Sequence, residues 1–154
     1  MAITTASIIK GRQQAHPDRP FALFLIGMRV NCLAAVGQWW PVARAMPPMQ
    51  KELAMRPEAG MLWQKNFYTG RTTLTIQYWE SMEKLFAYAR DRDGRHFPAW
   101  SAFNRAAHDN AAVGIWHETY ALTPEACENI YRDMPAFGLG GAIGVRAAVA
   151  RMGR

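Results

Sequence analysis

The segment between Pro20 and Asn31 limits the possible folds of this chain more than any other. Phe21–Val30 (FALFLIGMRV) is an almost continuous apolar run, rich in residues that favour strands. It is too short to cross a membrane as a helix, which takes about 20 apolar residues. Its length instead suits a strand that is buried on both faces. The rest of the chain must therefore supply neighbouring strands for it.

Three further segments are predicted to form these strands. Residues 61–68 have strand character, and the Thr69-Gly70-Arg71 turn separates them from Thr72–Trp79, so the two form a hairpin. Alternation along Thr72–Trp79 puts one set of side chains on each face: Leu74, Ile76 and Tyr78 against Thr73, Thr75 and Gln77. Val113–Leu122 is predicted as the fourth strand.

Helical patterns lie between these strands. Residues 33–55 predict a helix that Pro41 and Pro47-Pro48 break into two or three pieces, because proline lacks an amide donor. Ser81 is placed to cap a second, amphipathic helix. A short helix is expected from Pro98, and a final one from Thr123 to about residue 132.

The order of these elements predicts an α+β fold of the ferredoxin-like βαββαβ kind, with helices on one sheet face. The bare apolar face then requires cover, which a second copy supplies, so we expect a homodimer in the form of a dimeric α+β barrel. The predicted organisation is an irregular N-terminal arm (1–20), the ferredoxin-like domain (21–134), and a glycine-rich loop with a basic tail (135–154).

Composition narrows the classes of function. The 154 residues suffice for one domain, and 6 Trp, 7 Phe, 5 Tyr and 9 Met exceed the obvious needs of its core, so some should line an interface or a pocket. The net charge of +6 is scattered, which argues against a nucleic-acid partner. We also expect no membrane segment and no secretory signal, and hence a cytoplasmic protein.

Metal and dinucleotide sites are not expected either. Cys32 and Cys127 lie far apart without a CxxC pattern, and the histidines show no metal-ligand spacing. The glycine-rich run FGLGGAIG does not follow a strand within a βαβ unit, and no acidic residue follows it. We therefore predict free thiols, no metal centre and no Rossmann nucleotide site.

Three motifs carry a family resemblance. The runs YWESMEKLFAYARD, HFPAWSAFNR and VGIWHETY, over roughly residues 19–141, resemble the antibiotic-biosynthesis-monooxygenase-like superfamily, and within it the group of the fumagillin-pathway monooxygenase. This resemblance implies a dimeric α+β barrel with a ligand cavity between the sheet and the helices of each subunit. The wider superfamily contains cofactor-free oxygenases as well as haem enzymes such as aldoxime dehydratases, so the cofactor is expected to be either none or haem.

His96 and Trp100 are the leading catalytic candidates. They are four residues apart and share one face if the helix begins by His96, which would place an imidazole beside an indole in an apolar pocket. That arrangement suits a general base or a haem ligand. In the alternative, His96 only caps the helix.

His117 is the third catalytic candidate and has two possible positions. Alternation puts Ile115, His117 and Thr119 on one face of the fourth strand and Trp116, Glu118 and Tyr120 on the other. If the first set faces the helices, His117 is a pocket base or haem ligand near His96. If the second does, Glu118 takes that role and His117 lies at the dimer interface.

Arg29 is the candidate for an anionic group. In an otherwise apolar strand it would be costly if buried unpaired, so we expect it to meet a carboxylate, a ligand anion or a haem propionate. An ion pair at the solvent end of the strand is the simpler alternative.

The remaining pocket candidates are polar residues of the hairpin and bulky groups near helix breaks. They are Trp39, Trp40, Asn66, Tyr78, Phe103 and Phe137. Trp39 and Trp40 are expected at a ligand entrance, with Phe137 and the glycine-rich loop as a lid. Core packing or solvent exposure is the alternative for each of them.

The leading hypothesis is a small oxygenase-like enzyme of secondary metabolism that acts on an apolar organic molecule, with His96 as acid or base. The first alternative is a haem enzyme of the aldoxime-dehydratase or peroxidase kind. The second is a non-catalytic carrier of hydrophobic ligands.

Overall fold

The computed structural model describes residues 7–91 and 111–148, which form seven strands and three α-helices. The strands are β1 (Ile9–Gln14), β2 (Phe21–Val30), β3 (Met61–Thr69), β4 (Thr72–Trp79), β5 (Val113–Leu122), β6 (Tyr131–Met134) and β7 (Arg146–Ala147). The helices are α1 (Val36–Met55), α2 (Met82–Arg90) and α3 (Leu139–Ile143), with single 3-10 turns at Pro57–Ala59 and Pro124–Ala126.

Four antiparallel strands form the main sheet in the order β3-β4-β2-β5. With α1 between β2 and β3, and α2 between β4 and β5, this is the predicted ferredoxin-like βαββαβ arrangement. The predicted bounds of β2, β4 and β5 match the structure residue by residue. The α+β fold class is thus confirmed.

Strand register assigns each residue of the main sheet to one of two faces. Phe24 of β2 lies opposite Gln77 of β4 and Thr119 of β5, so these three side chains are on the same face of the sheet. The helices α1 and α2 cover this face, which we call the inner face. Leu25 lies opposite Ile76 and Glu118, so these residues occupy the outer face. Alternation in β4 therefore turns its polar set inward and its apolar set outward.

The buried core of the inner face lies at one end of the helices. Trp79, which is 0% exposed, packs there with Ala22, Leu53 of α1, and Leu85 and Tyr88 of α2. Ser81 caps α2 as predicted, with its hydroxyl oxygen accepting a hydrogen bond from the Lys84 amide at 3.3 Å. This cluster fixes one end of α1 against the sheet.

Helix α1 is continuous, so the prediction of two or three helical pieces is wrong. Pro41, Pro47 and Pro48 all lie inside the helix. Each proline removes only one amide donor, and the hydrogen bonds of the intervening residues suffice to continue the helix. No helix within the described ranges is long and apolar enough to span a membrane.

A second, three-stranded sheet corrects two other predictions. Its order is β6-β1-β7, so a strand lies in the N-terminal segment that is predicted to be irregular. The predicted final helix ends after the single turn Pro124–Ala126. Beyond this turn the side-chain amide of Asn129 pairs with the backbone of Ala15, at 2.6 and 2.9 Å, and β6 pairs with β1. These long-range bonds compete successfully with local helix formation.

The glycine-rich run is also more ordered than predicted, because it forms α3. Gly138 and Gly144 flank α3 with φ values of 58° and 85°, in a region that favours glycine. A Cβ atom on Gly141 would lie 2.5 Å from Nε1 of Trp63, so glycine is needed for the close packing of α3 on β3. The C-terminal segment thus covers part of the outer face, which is not entirely bare.

Candidate functional site

A cavity of about 590 Å³ lies between the inner face and the helices α1 and α2. Most of its walls are apolar. They include Phe24, Ile26, Met28, Met46, Met49 and Trp79. Both its volume and its apolar lining are typical of sites for small organic ligands.

The cavity exists because α1 is held firmly only near its C-terminal end. The structure describes every residue of α1, and among them Leu53 is the buried one. Pro41, Met46 and Met49 instead form part of the cavity wall. Arg56, just after the helix, makes ion pairs with Glu52 at 3.3 Å, Glu58 at 3.2 Å and Asp91 at 3.0 Å. These contacts fasten the end of α1 to the end of α2, and the rest of the helix stands over the sheet.

The described part of the cavity wall carries no formal charge at neutral pH. None of the lining residues that the structure describes is Asp, Glu, Lys, Arg or His. Tyr88 is one of the ionisable groups that do line it, and burial raises its pKa to about 12. This part of the wall therefore favours uncharged ligands, because a charged ligand would lose its hydration there without gaining a counterion.

One polar cluster interrupts the apolar wall. Gln50 of α1 and Asn66 of β3 face each other as a reciprocal amide pair: Nε2 of Gln50 donates to Oδ1 of Asn66 at 2.8 Å, and Nδ2 of Asn66 donates to Oε1 of Gln50 at 2.9 Å. The hydroxyl of Thr75 donates to the same Oδ1 of Asn66 at 2.8 Å. All three side chains line the cavity. We call them the amide cluster.

A second polar chain runs along the inner face beside Trp79. The indole Nε1 of Trp79 donates to Oε1 of Gln77 at 3.0 Å, and Nε2 of Gln77 donates to Oε1 of Gln64 at 3.3 Å. Trp79 and Gln77 are both buried. Buried polar groups need such partners, and the chain fixes the orientation of the indole ring in the cavity wall.

The structure places two of the predicted site residues on the inner face. Asn66 lines the cavity, and His117 lies opposite Ile26, with its ring centroid 5.8 Å from that of Phe24. The first of the two alternatives for His117 is therefore the observed orientation. His117 is exposed and is not among the cavity-lining residues, although Phe24 is.

Three other candidates lie on the outer face and do not line this cavity. The ring of Tyr78 lies 6.0 Å from that of Trp63, and the ring of Phe137 lies 5.0 Å from Trp63 on the same side. Arg29 is exposed at the end of β2, where its guanidinium donates to Oδ1 of Asn31 at 2.6 Å. Strand alternation explains the positions of Tyr78 and Arg29, because each is an odd number of positions from an inner-face residue of its own strand.

The remaining candidates either lie near the start of α1 without lining the cavity or fall outside the described residues. Trp39 and Trp40 pack edge to face with centroids 5.8 Å apart, and neither is among the cavity-lining residues. His96, Trp100 and Phe103 fall between residues 91 and 111, outside the described ranges.

Gln50 and Thr75 are functional candidates that the sequence interpretation missed. Alternation divides the side chains of β4 into two sets without deciding which set faces the helices, so Thr75 was not singled out. The alternation in β4 does carry a signal: whichever set faces the helices, the other faces away from them. If the polar set faces the helices, the space between sheet and helices contains more than a plain apolar core. Gln50 gives no comparable signal among the prolines and methionines of α1.

Comparison with known proteins establishes the family. The family model described as monooxygenase af470-like matches residues 21–139, which include the main sheet, α1 and α2. The chain belongs to this family. The match also confirms the resemblance to the antibiotic-biosynthesis-monooxygenase-like superfamily. None of the curated proteins compared with the chain matches its sequence significantly.

Solved structures similar to this member of the af470-like family include two aldoxime dehydratases. The enzyme OxdRE, crystallised with butyraldoxime, has 16% sequence identity and a TM-score of 0.69, and the match covers 96% of this chain and 43% of OxdRE. Another aldoxime dehydratase has 16% identity and a TM-score of 0.68, with 94% and 45% coverage. The chain therefore spans less than half the length of these enzymes, and at such identity the likeness shows the fold.

SnoaB, a cofactor-independent oxygenase from Streptomyces nogalater, is more distant in structure. It has 12% identity and a TM-score of 0.46, and the match covers 65% of this chain and 90% of SnoaB.

Proposed function

We propose that this protein is an oxygenase-like enzyme that acts on a small, uncharged, apolar organic molecule bound between the inner face and α1. The observation that carries the proposal is the cavity of about 590 Å³, apolar and free of charged groups in its described wall, within a monooxygenase-family domain. Its apolar walls bind the substrate and exclude water, which protects reactive oxygen intermediates from hydrolysis and proton exchange.

A reaction without a cofactor requires a base and a cavity that excludes water. A base removes a proton from an acidic C–H bond, and the resulting carbanion passes one electron to dioxygen. Recombination of the two radicals forms a carbon–oxygen bond, and the base returns its proton to give a hydroperoxide, which loses water to leave a carbonyl group. The protein supplies the base and the dry cavity.

His117 and His96 are the proposed bases. His117 packs against Phe24, a cavity-wall residue, so the imidazole adjoins the cavity from the inner face. An imidazole is the side chain that most often serves as a general base. Tyr88 does not suit this role, because a phenol with a pKa of about 12 keeps its proton.

The described residues fit a haem poorly. Those that line the cavity offer neither His nor Cys as an axial ligand, only tyrosines and methionines, and neither Lys nor Arg to pair with propionates. Arg29, predicted for a propionate, lies on the outer face. We derive no step through haem.

A homodimer forms part of this proposal. Leu25, Ile76 and Trp116 share the outer face, and Trp116 is 36% exposed. A second copy packed on this face would remove these side chains from water.

Oxygen consumption tests the proposed reaction. The purified protein is mixed with a neutral tricyclic ketone that has an acidic C–H bond, such as anthrone, and oxygen uptake is followed with an electrode. We expect uptake above the rate without protein, and a loss of about 100-fold or more in His117→Ala or His96→Ala, the usual contribution of a general base. His16→Ala, an exposed histidine before β2, is the control.

Two outcomes would replace the proposal. If anthrone-type ketones bind but no oxygen is consumed by any variant, the protein is a carrier. If added haemin gives a stoichiometric Soret band that is lost in one histidine variant, the protein is a haem enzyme, and that variant identifies the axial ligand.

A further inference from the structure

The amide cluster has unused hydrogen-bonding capacity. Oδ1 of Asn66 accepts two hydrogen bonds, from Gln50 and from the hydroxyl of Thr75, and is therefore fully used. Nδ2 of Asn66 has two hydrogens and donates one of them, to Gln50, among the described residues. Oε1 of Gln50 accepts that one bond and has a second lone pair. Among the described residues, one N–H donor of Asn66 and one acceptor of Gln50 thus remain on the amide pair.

The position of Thr75 indicates which chemical group these atoms bind. Its hydroxyl donates to Oδ1 of Asn66 at 2.8 Å and lies 3.5 Å from Nε2 of Gln50, which donates to it. One edge of the amide pair is therefore occupied by a hydroxyl that both donates and accepts. The second edge carries the same combination, an amide N–H of Asn66 beside an amide oxygen of Gln50. A second hydroxyl is complementary to that edge.

We propose that Gln50 and Asn66, held in place by Thr75, form the subsite that binds an uncharged hydroxyl group of the substrate, as in a phenol, an enol or an alcohol. This inference rests on the proposed function for the place of binding, and it adds the chemical class of the substrate. A carboxylate is disfavoured because its negative charge would face Oε1 of Gln50. An ammonium group is disfavoured because it would face the N–H of Asn66.

The surrounding apolar wall makes this subsite selective. An amide that a bound ligand covers without giving it a new hydrogen-bond partner costs free energy, so a ligand without a hydroxyl at this point binds less well. Sites built to hydrogen-bond a substrate hydroxyl reject analogues that lack it far more strongly than apolar pockets reject a missing methylene group. The cluster therefore fixes the orientation of the ligand and restricts which ligands bind.

Three naphthalene probes test the subsite by calorimetric titration of the intact protein at pH 7. 2-Naphthol donates and accepts, 2-methoxynaphthalene only accepts, and naphthalene does neither. We expect 2-naphthol to bind about tenfold more tightly than 2-methoxynaphthalene. This preference should fall to about twofold or less in Gln50→Met, while the affinity for naphthalene is retained.

Two further variants complete the test. Asn66→Leu should abolish the preference in the same way, and it provides a second measurement if one variant fails to fold. Thr73→Val is the matched control, because Thr73 lines the cavity one position along the same face of β4, outside the amide cluster. It should leave the preference unchanged.

The outcomes separate this inference from the proposed function. Equal affinity for 2-naphthol and 2-methoxynaphthalene, or a preference that persists in Gln50→Met, overturns the hydroxyl subsite even if oxygen uptake is observed. A hydroxyl preference without oxygen uptake supports the subsite and rejects the oxygenase. If none of the three probes binds, the cavity is not a ligand site and both fail.

Discussion

At the scale of single residues, Tyr88 shows how burial determines which groups act as bases in the cavity. Its side chain is 8% exposed and packs on Trp79, with ring centroids 5.6 Å apart. Burial is the main cause that raises its pKa to about 12, and the nearby carboxyl of Glu52 adds to the effect. The phenol therefore stays protonated under physiological conditions, so proton abstraction is left to the histidines.

The same shift predicts how stability depends on pH at high pH. The unfolded tyrosine has a pKa of about 10. Between this pH and pH 12, near the pKa of Tyr88 in the folded protein, the unfolded chain loses the phenol proton while the folded chain keeps it. The free energy of unfolding must then fall as pH rises through this range. Urea unfolding at intervals from pH 9 to 12 should show a shallower fall for Tyr88→Phe.

The control for this prediction is Tyr68→Phe, which removes a hydroxyl from a side chain that is 76% exposed. Lysines titrate over the same range in every variant, so only the difference between the curves is informative. Parallel curves for wild type and Tyr88→Phe would contradict the prediction.

Whether a site residue predicted from the sequence lines the cavity depends on which face of its strand turns towards the helices. Asn66 was identified because a polar residue in an amphipathic hairpin is a candidate contact. Tyr78 was identified by the same reasoning and lies on the outer face, because alternation gives two sets of residues without saying which set faces the helices. Only the packing of α1 and α2 decides this, and that packing depends on the whole domain.

At the scale of secondary structure, α1 combines length with three internal prolines. Pro48 is exposed and does not line the cavity, whereas Pro41 and Pro47 do. Proline inside a helix costs about 3 kcal/mol relative to alanine. Some of that cost is offset because proline also restricts the unfolded chain.

Replacing Pro48 should therefore stabilise the protein. Pro48→Ala restores an amide donor to the carbonyl of Arg44 and is expected to raise the free energy of unfolding by about 1–3 kcal/mol. Thermal unfolding followed by circular dichroism should show an increase of roughly 2–12 °C in Tm. Pro57→Ala is the control, because Pro57 begins a 3-10 turn where proline is favoured. A lower Tm for Pro48→Ala would mean that restriction of the unfolded chain dominates.

Elements with strong local signals were predictable, and elements that depend on distant partners were not. β2, β4 and β5 carry runs or alternation of strand-forming residues. β1 has the polar sequence IKGRQQ and becomes a strand by pairing with β6 and β7, over one hundred residues away in sequence. The Thr123-Pro124-Glu125 start resembles a helix cap, yet the bonds of Asn129 to Ala15 end the helix after one turn.

At the scale of the whole molecule, the two faces of the main sheet differ in how they are covered. Helices and the cavity lie on the inner face, while α3 and Phe137 cover only the β3 side of the outer face. Towards β5, Trp116 and Tyr120 are 36% and 45% exposed. These two side chains are the part of the proposed dimer interface that is most readily tested.

A charge on this surface should prevent the proposed dimer from forming. Light scattering coupled to size exclusion is expected to show a dimer for wild type and a monomer for Trp116→Glu, because a second carboxylate beside Glu118 on this face cannot be buried without a partner. Met55→Glu, at a position on α1 that is 73% exposed, should remain dimeric. A monomeric wild type at micromolar concentration would reject the dimer.

The way α1 is attached links heat resistance to the ligand. Since Leu53 is the buried residue of this helix, much of the apolar surface of α1 faces the cavity rather than other side chains. A molecule that fills the cavity therefore becomes part of the packing between α1 and the sheet. Bound at a concentration 100 times its Kd, it adds about 2.7 kcal/mol to the free energy of unfolding. The melting curve alone can thus rank a chemical library for ligands before any turnover is known.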